Sequence, residues 1–197
     1  MAVEINGSSN TITGIAVGGL PDGIVDTDML AANAVTAAKA AGSVKGISDF
    51  DYWYLTDSVT SDQAITANLS RNDRAGAATQ IGTGMSESSG TFTFPTTGKY
   101  LVIVVATFVI NGADSVVVNT LVTTDNNTYS IHSKAADGNN GTNARNGSGT
   151  SFAFIDVTDT SQVKVRFNAV SVGTGSSVFG SADNVNTGFI FIRLGDT

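Results

Sequence analysis

The chain has no cysteine, a single histidine and little charge of either sign. Without cysteine there are no disulfides and no thiolate metal sites, though that count leaves the cellular compartment open. With only His132 available, a zinc site would have to be built from carboxylates alone, an unusual ligand set. Asp22, Asp26 and Asp28 miss the spacing of a calcium-binding EF-hand loop, and helix capping accounts for two of them. No Gly-x-Ser-x-Gly elbow, Walker loop or His-Glu-x-x-His motif occurs, and the Gly82-Thr-Gly84 and Gly173-Thr-Gly175 pairs read as turns. Aspartates and glutamates are numerous, yet no pair stands in a context that marks a glycosidase. Lys and Arg total 10 against 17 Asp and Glu, giving a net charge of −7. No basic stripe exists, which excludes binding to phosphate backbones. No apolar run reaches the ~20 residues of a membrane-spanning helix. No cofactor is expected.

Charged residues make up 14% of the chain, below the ~25% of an ordinary globular domain. Gly, Ser, Thr and Asn fill the surface instead, a habit of β-rich extracellular and virion proteins. Hydrophobic residues still reach 41%, enough for a packed core.

The most informative stretch runs from Lys99 to Thr124. Lys99–Ile110 is β-branched and aromatic throughout, Asn111-Gly112 favours a tight turn, and Ser115–Thr124 runs back, so the spacing predicts a hairpin. Alternate side chains of a strand point to opposite faces. Tyr100, Val102, Val104, Ala106, Phe108 and Ile110 share one face; Leu101, Ile103, Val105, Thr107 and Val109 share the other. Neither row is polar. One small sandwich supplies a core for one of them, and the simplest cover for the other is a second copy of this chain. Gly188–Leu194 repeats the pattern and is expected beside Lys99–Ile110 or against a neighbouring subunit.

Before this, residues 1–23 read as short extended pieces broken by turns. Asp26 or Thr27 caps an Ala-rich helix of about 27–41 that ends at Gly42. Its thin apolar stripe, Leu30 and Val35, suits close packing against copies of itself. Gly42–Gly46 reads as a joint, dividing an N-terminal stem, 1–46, from a head domain, 47–197. In the head, strands are expected at Phe50–Leu55, Ala64–Leu69, Gly90–Phe94, Asn127–Ser133, Ser151–Val157, Val163–Val170, Ser177–Phe179 and Gly188–Leu194, besides the hairpin. Residues 134–150, rich in Gly and Asn, are expected to form a surface loop.

Gly90–Val104 resembles a segment of the C1q/TNF-like jelly-roll superfamily, with Phe94, Pro95, Gly98 and Tyr100 matching an aromatic-Pro-Gly-aromatic pattern that opens a buried strand. Gly188–Leu194 resembles the final apolar strand of those domains. The resemblance spans roughly residues 50–197 and implies a mainly β fold, a ten-stranded antiparallel jelly-roll sandwich, assembled as a trimer about an apolar axis. Gly19–Lys39 resembles stem segments of tailed-phage fibres, especially those of marine phages. Together these imply a homotrimeric, non-enzymatic virion surface protein made in the host cytoplasm: a short fibre or decoration protein of head or tail. It would attach to another virion protein through residues 1–46 and present its head to a host glycan or protein, with no membrane insertion. The absence of an N-terminal secretory pattern agrees with release by lysis, or with a signal already removed. On this reading Val102, Val104, Phe108, Phe189, Phe191, Leu30 and Val35 close the trimer. Loops 134–150 and 172–187 face the receptor through Asn139, Asn140, Asn143, Arg145, Asn146 and Phe179. The rival roles are a purely capsid-bracing decoration, a polysaccharide depolymerase and a secreted C1q-like ligand.

Overall fold

The structure, a computed structural model, describes residues 4–6, 8, 11–13, 46–77 and 80–197. The chain divides into two compact units, Met1–Val44 and Lys45–Thr197. In the first unit β1 (Glu4–Asn6) pairs antiparallel with β2 (Thr11–Thr13), placing Ile5 opposite Ile12. The expected helix of about 27–41, with Leu30 and Val35, lies outside the described residues.

The second unit is all β among the described residues. Its strands are β3 (Phe50–Leu55), β4 (Gln63–Ala64), β5 (Leu69–Arg71), β6 (Gln80–Ile81), β7 (Ser86–Ser88), β8 (Thr91–Thr93), β9 (Gly98–Ile110), β10 (Asp114–Thr123), β11 (Ser130–Asn139), β12 (Arg145–Val157), β13 (Lys164–Val170), β14 (Ser177–Val178) and β15 (Gly188–Gly195). One sheet runs β12-β9-β15-β3-β5, with β14 also on β9 and β6 also on β3. The other runs β11-β10-β13-β8-β7, with β4 also on β13. All pairings within both sheets are antiparallel. This is a jelly-roll sandwich, and β15 lies in the centre of its sheet between β9 and β3, as the apolar run of Gly188–Leu194 predicts.

The expected hairpin is corrected. β9 and β10 follow one another through Asn111-Gly112-Ala113, but they belong to different sheets. Gly112 has φ +69°, so the turn is real; it carries the chain across the sandwich instead of back along the same sheet. Each strand has an apolar row to bury, and facing each other across a common core buries both.

That core takes one row from each strand. Tyr100, Val102, Val104, Ala106, Phe108 and Ile110 of β9 are buried against Val116, Val118 and Val122 of β10 and Val165, Phe167 and Ala169 of β13. Aromatic rings hold the centre: Phe167 stacks on Phe189 with centroids 4.2 Å apart, and Phe92 lies 5.0 Å from Phe191. Trp53 meets Phe92 edge-on at 5.5 Å, a packing role. Burial raises the Tyr100 phenol pKa, while its hydroxyl donates to the Thr96 carbonyl at 3.1 Å.

The predicted loop 134–150 is also corrected. Most of it is strand, β11 and β12, and only residues 140–144 form the connection. The glycines that read as turn signals serve close packing. A Cβ on Gly147 would meet the Asp137 carboxylate, and one on Gly149 would lie 2.7 Å from the backbone nitrogen of Ala136. β11 and β12 belong to different sheets, and these bare positions let the sandwich close at its edge, where the Ser133 and Ser151 hydroxyls meet at 3.2 Å. Gly149→Val is therefore expected to destabilise the fold by about 1–3 kcal/mol through overpacking. A thermal melt checks this, and an unchanged midpoint would contradict it.

Candidate functional site

The register of β12, β9, β15 and β3 builds a continuous apolar surface on the outer side of their sheet. Phe154 lies opposite Leu101, Leu101 opposite Ile192 and Ile192 opposite Phe50. The next row is Phe152, Ile103, Ile190 and Tyr52, and the one beyond it Thr150, Val105, Gly188 and Tyr54. These are the odd-numbered residues of β9, the row opposite its core face. Phe154 is 72% exposed, Phe152 58%, Leu194 53% and Val105 40%. Leu101, Ile103, Ile190 and Ile192 are half-buried by their neighbours alone. A Cβ on Gly188 would come 2.5 Å from the Tyr52 ring, so the bare glycine leaves the ring room to lie flat on the face.

Its edges are defined. On the β3 side Arg74 stacks over Tyr54 at 5.0 Å and donates from its two terminal nitrogens to the carbonyls of Asp183 and Ala182, at 2.5 Å each, which covers that margin. On the β12 side a cavity of about 310 Å³ opens beside Phe154 and Leu194, rimmed by the exposed Lys99–Asp156 ion pair (2.9 Å). A soluble chain seldom leaves so many adjacent apolar side chains open to water, and such a patch marks an interaction surface.

The residues expected to close a trimer sit elsewhere. Val102, Val104, Phe108, Phe189 and Phe191 are enclosed in the chain's own core, each 2% exposed or less, so a second copy has no access to them. Both rows of β9 are hydrophobic, and the sandwich took the row with Tyr100, Val102 and Phe108; the open face is Leu101, Ile103 and Val105. Leu30 and Val35 lie outside the described residues.

Of the expected receptor-facing residues, Asn139, Asn140, Asn143, Arg145 and Asn146 gather at the β11–β12 connection. Asn139 donates to the Asn143 carbonyl at 2.7 Å and accepts from the Gly141 N–H at 2.9 Å. Arg145 pairs with Asp137 at 2.7 Å and donates to the Gly138 carbonyl, which ties the start of β12 to the end of β11. Phe179 is not with them. It follows β14, on the other side of β9 from β12, with its N–H donating to Thr107 O at 2.8 Å. The expected loop 172–187 is stitched down by this bond, by Ser181 N–H to Leu55 O at 3.0 Å, and by the Asp114 carboxylate, which accepts from Ser176 Oγ and from the Gly173 N–H.

The polar clusters secure backbone. Asp51, 1% exposed, accepts from Arg71 at 2.8 and 3.0 Å, from Trp53 Nε1 at 2.8 Å and from the Met85 N–H at 2.7 Å. Asp114, Asp137 and Asp159 all have lowered pKa values, held down first by hydrogen bonds from Ser176, the Gly138 N–H and Ser161 respectively. Asp125 falls furthest, from 3.8 to about 2, because Thr123 Oγ1 and the N–H groups of Thr128 and Asn127 all donate to it. A general acid needs the opposite shift. The Asp125 loop therefore favours the folded state above the ordinary carboxylate range, and that contribution is lost as pH falls from 3.8 toward about 2. Carboxyl NMR is expected to place Asp125 near that lower value, and Thr123→Val to move it back up; a normal Asp125 titration would contradict the loop geometry. Among the described residues no group of His, Asp and Glu is placed to hold a metal ion, and no helix is long and apolar enough to cross a membrane.

No protein-family model and no curated protein matches the chain. Among solved structures it is similar to the Eiger TNF of S. frugiperda, at 13% identity and a TM-score of 0.55, covering 75% of this chain and 94% of that one. It is also similar to murine APRIL at pH 5.0, at 8% identity and a TM-score of 0.53, covering 74% of this chain and 98% of that one. At such identities the likeness is one of architecture, and it agrees with the sheet order described above: the second unit has a TNF-like jelly-roll fold.

Proposed function

We propose that this chain is a non-enzymatic display protein that works as a homotrimer, its copies meeting through the apolar face of β12, β9, β15 and β3. That uncovered face is the observation that carries the reading. Full transfer of one Val, Leu, Ile or Phe side chain from water is worth ~1.5–3 kcal/mol. Several half-open residues per copy therefore outweigh the ordering cost of association, which runs from ~4 to 15 kcal/mol. The jelly-roll fold supports a trimer as the form of assembly. The stem-like character of Gly19–Lys39 and the low-charge, Asn- and Gly-rich surface support a place on a virion, with residues 1–46 attaching to another virion protein and the head turned toward the host surface.

The absence of native cysteine permits a direct test. A thiol introduced by Val105→Cys, in the middle of the face, is expected to react with a maleimide dye far more slowly than one introduced by Thr91→Cys on the other sheet. Equal labelling rates in the native protein would show that the face is open to water and refute the reading. For the virion role, antibody against the chain is expected to label the particle surface, and label confined to host material would contradict it.

A further inference from the structure

The opposite sheet carries a different feature. In the described structure Arg71, Lys99, Arg145 and Arg193 each pair with an aspartate, and Arg74 is spent on the carbonyls of Asp183 and Ala182. Among the other described cations, none of which has a carboxylate within ion-pair distance, are Lys134, Lys164, whose Nζ donates to Thr93 Oγ1 and Thr160 O, and Arg166, and all three lie on the β11–β10–β13 sheet. Lys164 and Arg166 project from the same face of β13. Lys134 stands opposite Asn119 of β10, which stands opposite Asn168 of β13. Among the described residues of a chain with net charge −7, three cations outside any ion pair thus share one sheet.

Arg166 borders a built cavity. Along one edge of β13, β4 pairs at Asn168 and Ala169 while β8 pairs at Lys164 and Val165. No strand pairs with that edge at Arg166 and Phe167, where a cavity of about 270 Å³ opens, lined by Ala64, Ile65, Thr66, Ser89, Gly90 and Arg166. Its shape is fixed by backbone: Ile65 N–H donates to Phe167 O at 2.9 Å, and Gly90, at φ +78°, lies so close to Ile65 O that a Cβ there would stand 2.2 Å from it. Arg166 is held for use. Its Nε donates to Thr91 Oγ1 at 2.9 Å and its guanidinium lies 4.2 Å over the Tyr129 ring, which leaves both terminal nitrogens without a partner among the described residues.

We infer that this cavity binds an acidic monosaccharide unit, with Arg166 taking its carboxylate. A planar guanidinium fixed on two sides is preorganised for the two parallel hydrogen bonds of a carboxylate. The volume falls just under the ~300 Å³ at which ordinary ligand pockets begin, room for one ring and not for a longer chain. The Thr66 and Ser89 hydroxyls suit ring hydroxyls, and Ile65 offers an apolar wall to a C–H face. The site is complete within one chain and on the other sheet from the apolar face, so it stands or falls apart from the trimer.

Saturation-transfer NMR on the full chain with methyl β-glucuronide and with methyl β-glucoside separates the carboxylate from the rest of the sugar. Transfer to the glucuronide and not to the glucoside is expected. Arg166→Gln should weaken the glucuronide by about tenfold or more, and Arg166→Lys, which keeps the charge and loses the fork, should fail to restore it. Arg166 is on the surface, so the variants should melt like the parent. No transfer to either sugar, equal transfer to both, or binding unchanged in Arg166→Gln would each overturn the inference.

Discussion

Val104→Asp is expected to leave no folded chain, whereas Ile103→Asp, one residue earlier, is expected to leave a folded chain that no longer assembles. The two positions differ only in which way the strand points them. Val104 is fully buried between the sheets, next to Val105 and Ile103, which face outward. A carboxylate at 104 would sit among Val118, Phe167 and Phe189 with no partner. The penalty for an unpaired buried charge is several kcal/mol, comparable with the ~5–15 kcal/mol that holds a domain together. At 103 the side chain is half-buried on the outer face, where water still reaches the charge in the lone chain, so it costs much less than at 104 until a second copy covers it. There it would repel its own counterparts in a dry contact. Circular dichroism and sedimentation together distinguish the outcomes: no native spectrum for Val104→Asp, and a native spectrum at monomer mass for Ile103→Asp. A native spectrum for Val104→Asp would show that the core has been placed on the wrong row. An assembled Ile103→Asp would show that the interface has.

The second large effect concerns Asp51. Its carboxylate is the meeting point of β3, β5 and the turn before β7, through Trp53, Arg71 and the Met85 N–H. Arg71 also donates to Met85 O at 2.7 Å and lies 4.8 Å from the centre of the Trp53 ring. Asp51→Ala removes the acceptor and strands all three donors at the mouth of the core. Breaking a buried pair in this way costs about 3–5 kcal/mol. The protein has one tryptophan, and it touches this cluster, so urea unfolding followed by Trp53 emission reads the loss where it occurs. Arg71→Met on top of Asp51→Ala is expected to recover part of it, because the guanidinium would no longer be left facing an apolar gap. A loss below about 1 kcal/mol for Asp51→Ala would mean that water already satisfies the cluster.

Much of this architecture was legible in the residues. Phe50–Leu55, Val163–Val170 and Gly188–Leu194 declared themselves as strands by β-branched and aromatic content, and the structure has strands at each. The absence of a polar row on Lys99–Ile110 showed that two apolar faces had to be accounted for. What the strand could not show was which row the sandwich would claim, since Val102 and Ile103 are equally suited to a core. That choice is made by Val116 on the next strand and by Phe167 and Phe189, far away in the chain. Asn111-Gly112 announced a turn correctly, but a turn does not say whether the strands it joins will pair or face each other. Gly147 and Gly149 misled for a related reason: a glycine needed for close approach has the same letter as one needed for a bend. The clasp between Asp51 and Arg71, like the gap beside Arg166, depends on strand neighbours brought together by the fold, and no local spacing reports it.

In the proposed trimer, copies of the chain cover the face of Leu101, Ile103, Phe152 and Phe154. Sedimentation equilibrium of the full-length protein across a dilution series tests this most directly. A single species of three chain masses, persisting at low concentration, is the predicted result. A species of one chain mass at every concentration, with the native spectrum intact, would contradict it.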